Sequence, residues 1–115
     1  KCDIISPCAL GGVINSETKK KLKCKAIVGA ANNQLDESET ALWLKENNIF
    51  YAPDFLVNSG GVIAISCEIN NSEDTLDDRL NKISDKVLSL LKESKKSSLS
   101  TDKILENLAW ERINV

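Results

Sequence analysis

The chain has 115 residues, 42% of them hydrophobic and 28% charged, with a net charge of −2; this is the balance of one globular domain of modest core, neither disordered nor fibrous. A slightly acidic protein has no long-range attraction for a polyanion, so nucleic acid and the membrane surface are excluded as partners, and no apolar run has the length of a membrane span or the layout of a signal peptide. The four cysteines (Cys2, Cys8, Cys24, Cys67) form no C-x-x-C pair and the chain has no histidine; neither a metal site nor a disulfide framework is expected, and small buried thiols in a reducing cytoplasm are.

The sequence lacks methionine and opens on KCDIIS, a strand already under way, so a piece of a longer polypeptide, or a chain whose front is absent, is expected. CDIIS (2–6) reads as a short β-branched strand stopped by Pro7 and followed by the small-residue loop CALGG. Asn15 then caps a helix predicted over SETKKKL, acidic at its start and basic at its end as the macrodipole prefers. KAIVGA (25–30) is an unalternating apolar run of strand length, the pattern of a strand buried on both faces. Asp36 with Glu39 gives a D-x-x-E capping signal for a helix over about 37–47, with Ala41, Leu42 and Leu44 on one face and Trp43 at its margin. IFYA (49–52) is a third strand, ended by Pro53.

Three strand–loop–helix units in succession imply parallel strands with right-handed crossovers, an α/β architecture. GGVIAISCEI (60–69) then reads as a helix with a close-packed Gly-Gly start. A long amphipathic helix over about 73–96 carries Leu76, Leu80, Ile83, Val87, Leu90 and Leu91 on one stripe. Ser100 or Thr101 caps a last helix with Ile104, Leu105, Leu108 and Ala109. The whole reads as half of an open sheet followed by a helical tail.

In open parallel sheets, ligands bind beyond the carboxyl ends of the strands. The loops at that edge are SPCALGG (6–12), AANNQ (30–34) and APDFLVNSGGV (52–62). They are nearly uncharged and rich in amides and small residues, which suits a neutral carboxamide ring and a ribose better than a phosphate, which calls for a Gly-rich helix start or for Arg and Lys. Each feature has a plainer alternative. Asn32 and Asn33 could form an Asx-turn; Gly60 and Gly61 could serve helix packing or a positive-φ turn. Cys8 has no histidine to activate it as a nucleophile. Asp54 and Glu68 read as surface or capping carboxylates, and the charged face of 73–96 as solvated. The convergence of three polar loops on one sheet edge favours the functional reading.

DIISPCALGGVIN, IVGAANNQL and YAPDFLVNSGGVI resemble, in order and spacing, the C-terminal half of the nucleotide-binding domain of the Glu/Leu/Phe/Val dehydrogenase family, nearest to its leucine-acting members. The tail TDKILENLAWERI resembles that family's closing helix. The resemblance implies the second half of a Rossmann-like doubly wound parallel sheet over 1–69, a C-terminal helical tail over 70–115, and an N-terminal substrate domain absent from this chain. It also implies NAD as cofactor and reversible oxidative deamination of a branched-chain L-amino acid to its 2-oxo acid and ammonia. A cytoplasmic homo-oligomer is expected, its partners being the small amino acid or oxo acid and the remainder of the parent chain.

By the same resemblance, Pro7, Cys8 and Ala9 line the nicotinamide side of the cofactor. Asn32, with Ala31 and Asn33 beside it, meets the nicotinamide ribose or lies by the substrate amino group. Asn58, Gly60 and Gly61 let the backbone approach the substrate, and Val62 and Ile65 wall its side-chain pocket. That aliphatic wall would leave a glutamate γ-carboxylate desolvated and unpaired, at a cost of about several kcal/mol, whereas a branched aliphatic side chain gains about 1–3 kcal/mol per methylene-scale fit.

The family's catalytic lysines and acid, its G-x-G-x-x-G turn and the acidic residue for the adenosine ribose have no counterpart here, so no catalytic residue is assigned and the chain alone is expected to be inactive. The alternative is a non-catalytic nucleotide-domain remnant acting as a binding or assembly module. With half a sheet missing, an open edge is expected on the strand at 25–30 or its neighbour. The isolated piece should then be marginally stable, strand-swapped into an oligomer, or the ordered remnant of a longer chain.

Overall fold

Three very short strands organise the molecule: β1 (Ile4–Ile5), β2 (Ala26–Ile27) and β3 (Phe50–Tyr51). They pair in parallel in the order β1-β2-β3, with Ile5, Ile27 and Tyr51 aligned across the sheet. The computed structural model describes residues 1–114. Five helices follow or intervene: α1 (Ser38–Glu46), α2 (Asp54–Val57), α3 (Gly60–Ile69), α4 (Leu76–Ser94) and α5 (Thr101–Ile113). The expected α/β class, a parallel sheet followed by C-terminal helices, is what is found.

The core lies between the sheet and α1: Ile14, Ile27, Leu44, Ile49 and Tyr51 are buried together, with Ile5, Leu22, Leu35 and Trp43 packed against them. The inward face of α1 is Thr40, Ala41 and Leu44, while Leu42 is exposed. Leu42 was expected on that face, but it lies only one residue, about 100°, from Ala41 around the helix.

Other expectations are corrected. No α-helix forms over SETKKKL; there is one 3-10 turn, Lys19–Lys21. Asn15 Oδ1 accepts the N–H groups of Glu17 (3.1 Å) and Thr18 (3.0 Å), and Thr18 Oγ1 donates to the Val13 carbonyl (2.6 Å) while accepting the Asn15 N–H (2.9 Å). These side chains offer the backbone a local alternative to helical bonding. The D-x-x-E signal marks the right helix without acting as its cap. Glu37 holds the cap position with no side-chain bond, and Asp36 instead accepts Thr40 Oγ1 (2.9 Å) and the Ser16 N–H (3.3 Å). The strands are shorter than the apolar runs that carry them, and α2 goes beyond the expected elements.

The two sheet edges differ. Phe50 and Ala52 give their N–H groups to Lys25 and Ile27 (2.9 and 3.0 Å), so Tyr51 between them faces outward, and its carbonyl accepts Thr101 Oγ1 at 2.6 Å. The start of α5 thus covers the β3 edge. On β1, Asp3 and Ile5 accept from Ala26 (3.2 Å) and Val28 (3.0 Å), which turns the N–H and C=O of Ile4 to the open side. Ile4 is 61% exposed. The open edge therefore belongs to the neighbour of the strand at 25–30, which is itself paired on both sides.

Candidate functional site

The loops after β1 and β2 are locked together, backbone against backbone. A Cβ on Gly29 would overlap the Pro7 carbonyl oxygen and come within 2.6 Å of Pro7 N and Cδ, so only glycine lets the chains pass. Ala31 N–H donates to the Pro7 carbonyl (3.0 Å), Gly12 N–H to Asn33 (2.7 Å) and Ile14 N–H to Gln34 (3.1 Å). Gly11 is similarly tight: a Cβ there would lie 2.9 Å from the Asn32 carbonyl oxygen. Gly12 itself has φ +67, the left-handed conformation that costs glycine little.

The second loop is tied to the third. Gln34 is fully buried; its Nε2 donates to the Gly29 (2.7 Å) and Ala31 (2.9 Å) carbonyls, and its backbone N–H donates to Asp54 Oδ2 (3.2 Å). Asp54 Oδ1 also accepts the Phe55 N–H (2.8 Å), from the first position of α2 and not as its cap, a place Pro53 holds without a side-chain bond. Beneath it, Tyr51 Oη accepts the Asp54 N–H (3.3 Å). Burial, with the Asp54 and then the Asp102 carboxylates nearby, pushes the Tyr51 phenol up to about 12.

These ties bring two side chains from different loops into contact: Asn58 Nδ2 donates to Asn32 Oδ1 at 2.7 Å, on the accessible surface and across 26 residues of sequence. The bond uses one donor of Asn58 and one acceptor of Asn32. The two N–H groups of Asn32 and the Asn58 Oδ1 have no partner among the described residues, so the pair presents donors and an acceptor outward.

The remaining candidate residues divide clearly. Pro7 is half-buried, and Cys8 and Ala9 are exposed. Cys8 Sγ lies 3.2 Å from Ser6 Oγ; that hydroxyl, and then the Ala30 backbone N–H, lower its thiol below the ordinary range. Ala31 is buried, with both backbone groups engaged by Pro7 and Gln34, so it acts by holding Asn32 in place. Asn33 has φ 51 and serves the turn. On α3, Gly60 faces Leu80 Cδ2 at an unforced 3.5 Å, and Gly61 faces open space. Neither has a positive φ, so the positive-φ reading of that pair fails. Val62 and Ile65, one turn apart on α3, are 71% and 57% exposed. The residues missing from the sequence-based set are Gly29, Gly11 and Gln34; a glycine that ends an apolar strand run was the available signal for the first.

A family model for the glutamate/leucine/phenylalanine/valine dehydrogenases matches residues 1–111. The chain belongs to this family. It is 40% identical to a leucine dehydrogenase of Thermoactinomyces intermedius, over all of the chain and 32% of that protein. It is equally 40% identical to a phenylalanine dehydrogenase of the same organism, over 97% of the chain and 31% of that protein. The crystal structure of L-tryptophan dehydrogenase from Nostoc punctiforme superposes with a TM-score of 0.90 at 36% identity, covering 97% of this chain and 35% of that one. The chain thus spans about a third of the length of these family members. Metal-holding clusters of His, Cys, Asp and Glu are absent among the described residues, and no described helix is long and apolar enough to cross a membrane.

Proposed function

We propose that the chain forms one wall of the nicotinamide and substrate cleft of an NAD-dependent amino-acid dehydrogenase acting on branched-chain L-amino acids. The observation that carries this reading is the Asn32–Asn58 hydrogen bond, which joins the loop assigned to the cofactor with the loop assigned to the substrate. The residues fit the cofactor's reactive end: outward amide donors and an acceptor suit a carboxamide and ribose hydroxyls, and no charged side chain lies in residues 4–15 or 26–35. When bound, the nicotinamide would accept the hydride released from the substrate Cα.

The tasks of this chain are binding and exclusion. Pro7, Cys8 and Ala9 close against the ring, and Asn32 donates to the ribose or orients the substrate amino group. Asn58 fixes Asn32, with a 2.7 Å bond. Residues 1–69 are the second half of the NAD-binding domain and 70–115 its helical tail; the catalytic groups belong to the remainder of the parent chain.

Equal identity to a leucine and a phenylalanine enzyme leaves substrate preference to individual positions. Val62 and Ile65 are apolar, exposed and on one face of α3. They would wall an aliphatic side chain and leave a γ-carboxylate unpaired, a penalty of about several kcal/mol.

The test uses the full-length parent with NAD⁺ and a panel of L-amino acids, following NADH absorbance. Leucine, valine and isoleucine should be turned over, with kcat/KM for glutamate lower by about a hundredfold or more. Turnover of glutamate without leucine or valine would overturn the pocket assignment.

A further inference from the structure

The foot of the sheet, at the end opposite the mouth, holds a second arrangement that the dehydrogenase reading does not use. The register of β1 and β2 pairs Ile4 with Ala26 and Ile5 with Ile27. One rung earlier, Asp3 and Lys25 stand side by side, with their side chains ion-paired at 2.8 Å. Before Ile4 the ladder loses its alternation: the Asp3 carbonyl accepts both the Lys25 (2.8 Å) and Ala26 (3.2 Å) N–H groups, and Cys2 N–H donates to the Lys23 carbonyl (3.2 Å), which holds the backbone of Cys2 alongside the segment that carries Cys24. Neighbouring parallel strands lie about 4.8 Å apart, inside the window of about 4.4–6.8 Å between Cα atoms that a disulfide spans.

We propose that Cys2 and Cys24 form a redox modification site, a reversible disulfide that staples β1 to β2 at the foot of the sheet. Both thiols are free in the structure, Cys2 exposed and Cys24 half-buried. The other two cysteines are placed differently. Cys8 lies beyond the far end of β1, about 20 Å of extended chain from Cys2. Cys67 is buried on α3 beneath Arg79, whose Nη1 reaches its sulfur at 3.3 Å.

The order of events follows from access. The exposed Cys2 thiolate attacks a low-molecular-weight disulfide, forming a mixed disulfide and releasing one small thiol. Cys24 then displaces the second small thiol and closes the protein disulfide. Two protein thiols are oxidised, the external disulfide is reduced to two thiols, and these carry away both protons. Burial, reinforced by the adjacent Cys2 thiol, raises the Cys24 thiol, which leaves the exposed Cys2 to react first; Cys24 follows because the mixed disulfide forms beside it. The bond would close the loop containing Asn15 and the Lys19–Lys21 turn and restrain the strand with the open edge.

The test equilibrates the full-length chain in oxidised and reduced glutathione, alkylates free thiols, and maps the denatured, digested protein by mass. A peptide pair linked through Cys2 and Cys24 should appear as the ratio becomes oxidising and vanish on reduction. It should persist in Cys8→Ser and be absent from Cys2→Ser and Cys24→Ser. Oxidation should raise the melting temperature by several degrees in the parent and in Cys8→Ser, and leave Cys2→Ser unshifted. Glutathione retained on Cys2 with Cys24 still alkylated in the same molecules would overturn the proposal, as would a linked pair involving Cys8, or four thiols alkylated throughout the oxidising range.

Discussion

Two glycine-bearing regions, linked through the Asn32–Asn58 hydrogen bond, are built on opposite terms. Where the loops after β1 and β2 cross, Gly29 and Gly11 are demanded by the chain itself: the atoms a side chain would strike are backbone atoms of Pro7 and Asn32. At the first turn of α3, Gly60 and Gly61 face a loose leucine methyl and open space. Glycine in a helix is worse than alanine by up to roughly 0.5–1 kcal/mol, less in a first turn, and at Gly61 nothing among the described residues lies where a Cβ would stand. Val62 and Ile65 are likewise exposed on α3. One region is fixed by its own packing, whereas the other, on the proposed reading, is left open for a ligand.

The sharpest way to break this contrast is to add a methyl group to each region. Gly29→Ala drives a Cβ into the Pro7 backbone and should cost about 3 kcal/mol or more of folding stability, read from urea denaturation of the full-length protein. Gly61→Ala should leave stability unchanged or raise it by about 0.5–1 kcal/mol, while raising KM or lowering kcat for the preferred substrate. A Gly61→Ala enzyme with unaltered kinetics would place both glycines in the same structural class.

A functional amide should likewise be separable from a structural one. Asn32 is exposed, and among the described residues the one hydrogen bond of its side chain is that from Asn58. Asn32→Ala should therefore cost no more than about 0.5–1.5 kcal/mol of stability, yet lower turnover by about a hundredfold, the effect of misplacing a reacting group. Stability and steady-state rate measured on one preparation decide it; an unchanged rate would remove Asn32 from the site.

The same division explains what the sequence could reveal. α3 falls on residues 60–69 as expected, and the apolar stripe of α4 was visible because a helix of 19 residues repeats its pattern several times. SETKKKL offered charge order without a repeated apolar face, and Asn15 and Thr18 closed its backbone bonds locally. Just beyond β1 and β2, Gly29 lets two loops pass in backbone contact, and that closeness is a property of two segments that neither segment spells alone. Asn32 and Asn58 were legible as polar breaks after apolar runs. Gln34 was not, since a buried glutamine in a loop is recognised by its partners, and those are backbone carbonyls.

A smaller effect probes the floor of the mouth. Tyr51, which accepts the Asp54 N–H and anchors the third loop, titrates at about 12 in the folded chain, against about 10 when unfolded. Below about pH 10 both states keep the proton; between about pH 10 and 12 only the folded state does, so the unfolded state gains and stability falls as pH rises through that window. Urea midpoints measured across it should drop faster for the parent than for Tyr51→Phe. Equal slopes would mean that the phenol is solvated.

The smallest expected effect separates two adjacent residues of the motif that first suggested a site. Asn-Asn occurs at 32–33, 47–48 and 70–71, and in each pair the second residue has positive φ: Asn33 at 51, Asn48 at 57 and Asn71 at 48. At the latter two, the left-handed residue ends a helix. Ile49 N–H returns to Leu44 and Asn48 N–H to Lys45 after α1, and Ser72 N–H returns to Cys67 and Asn71 N–H to Glu68 after α3, the paired bonds of a Schellman cap. Asn33 shares their conformation, and glycine adopts that conformation without a Cβ penalty. Asn33→Gly should therefore shift stability by no more than about 1 kcal/mol and leave kcat and KM within about twofold of the parent, less than the effect of losing one hydrogen bond. A loss of activity in Asn33→Gly as deep as that of Asn32→Ala would show that the second amide also reaches the ligand, and that its backbone geometry serves the site as well as the turn.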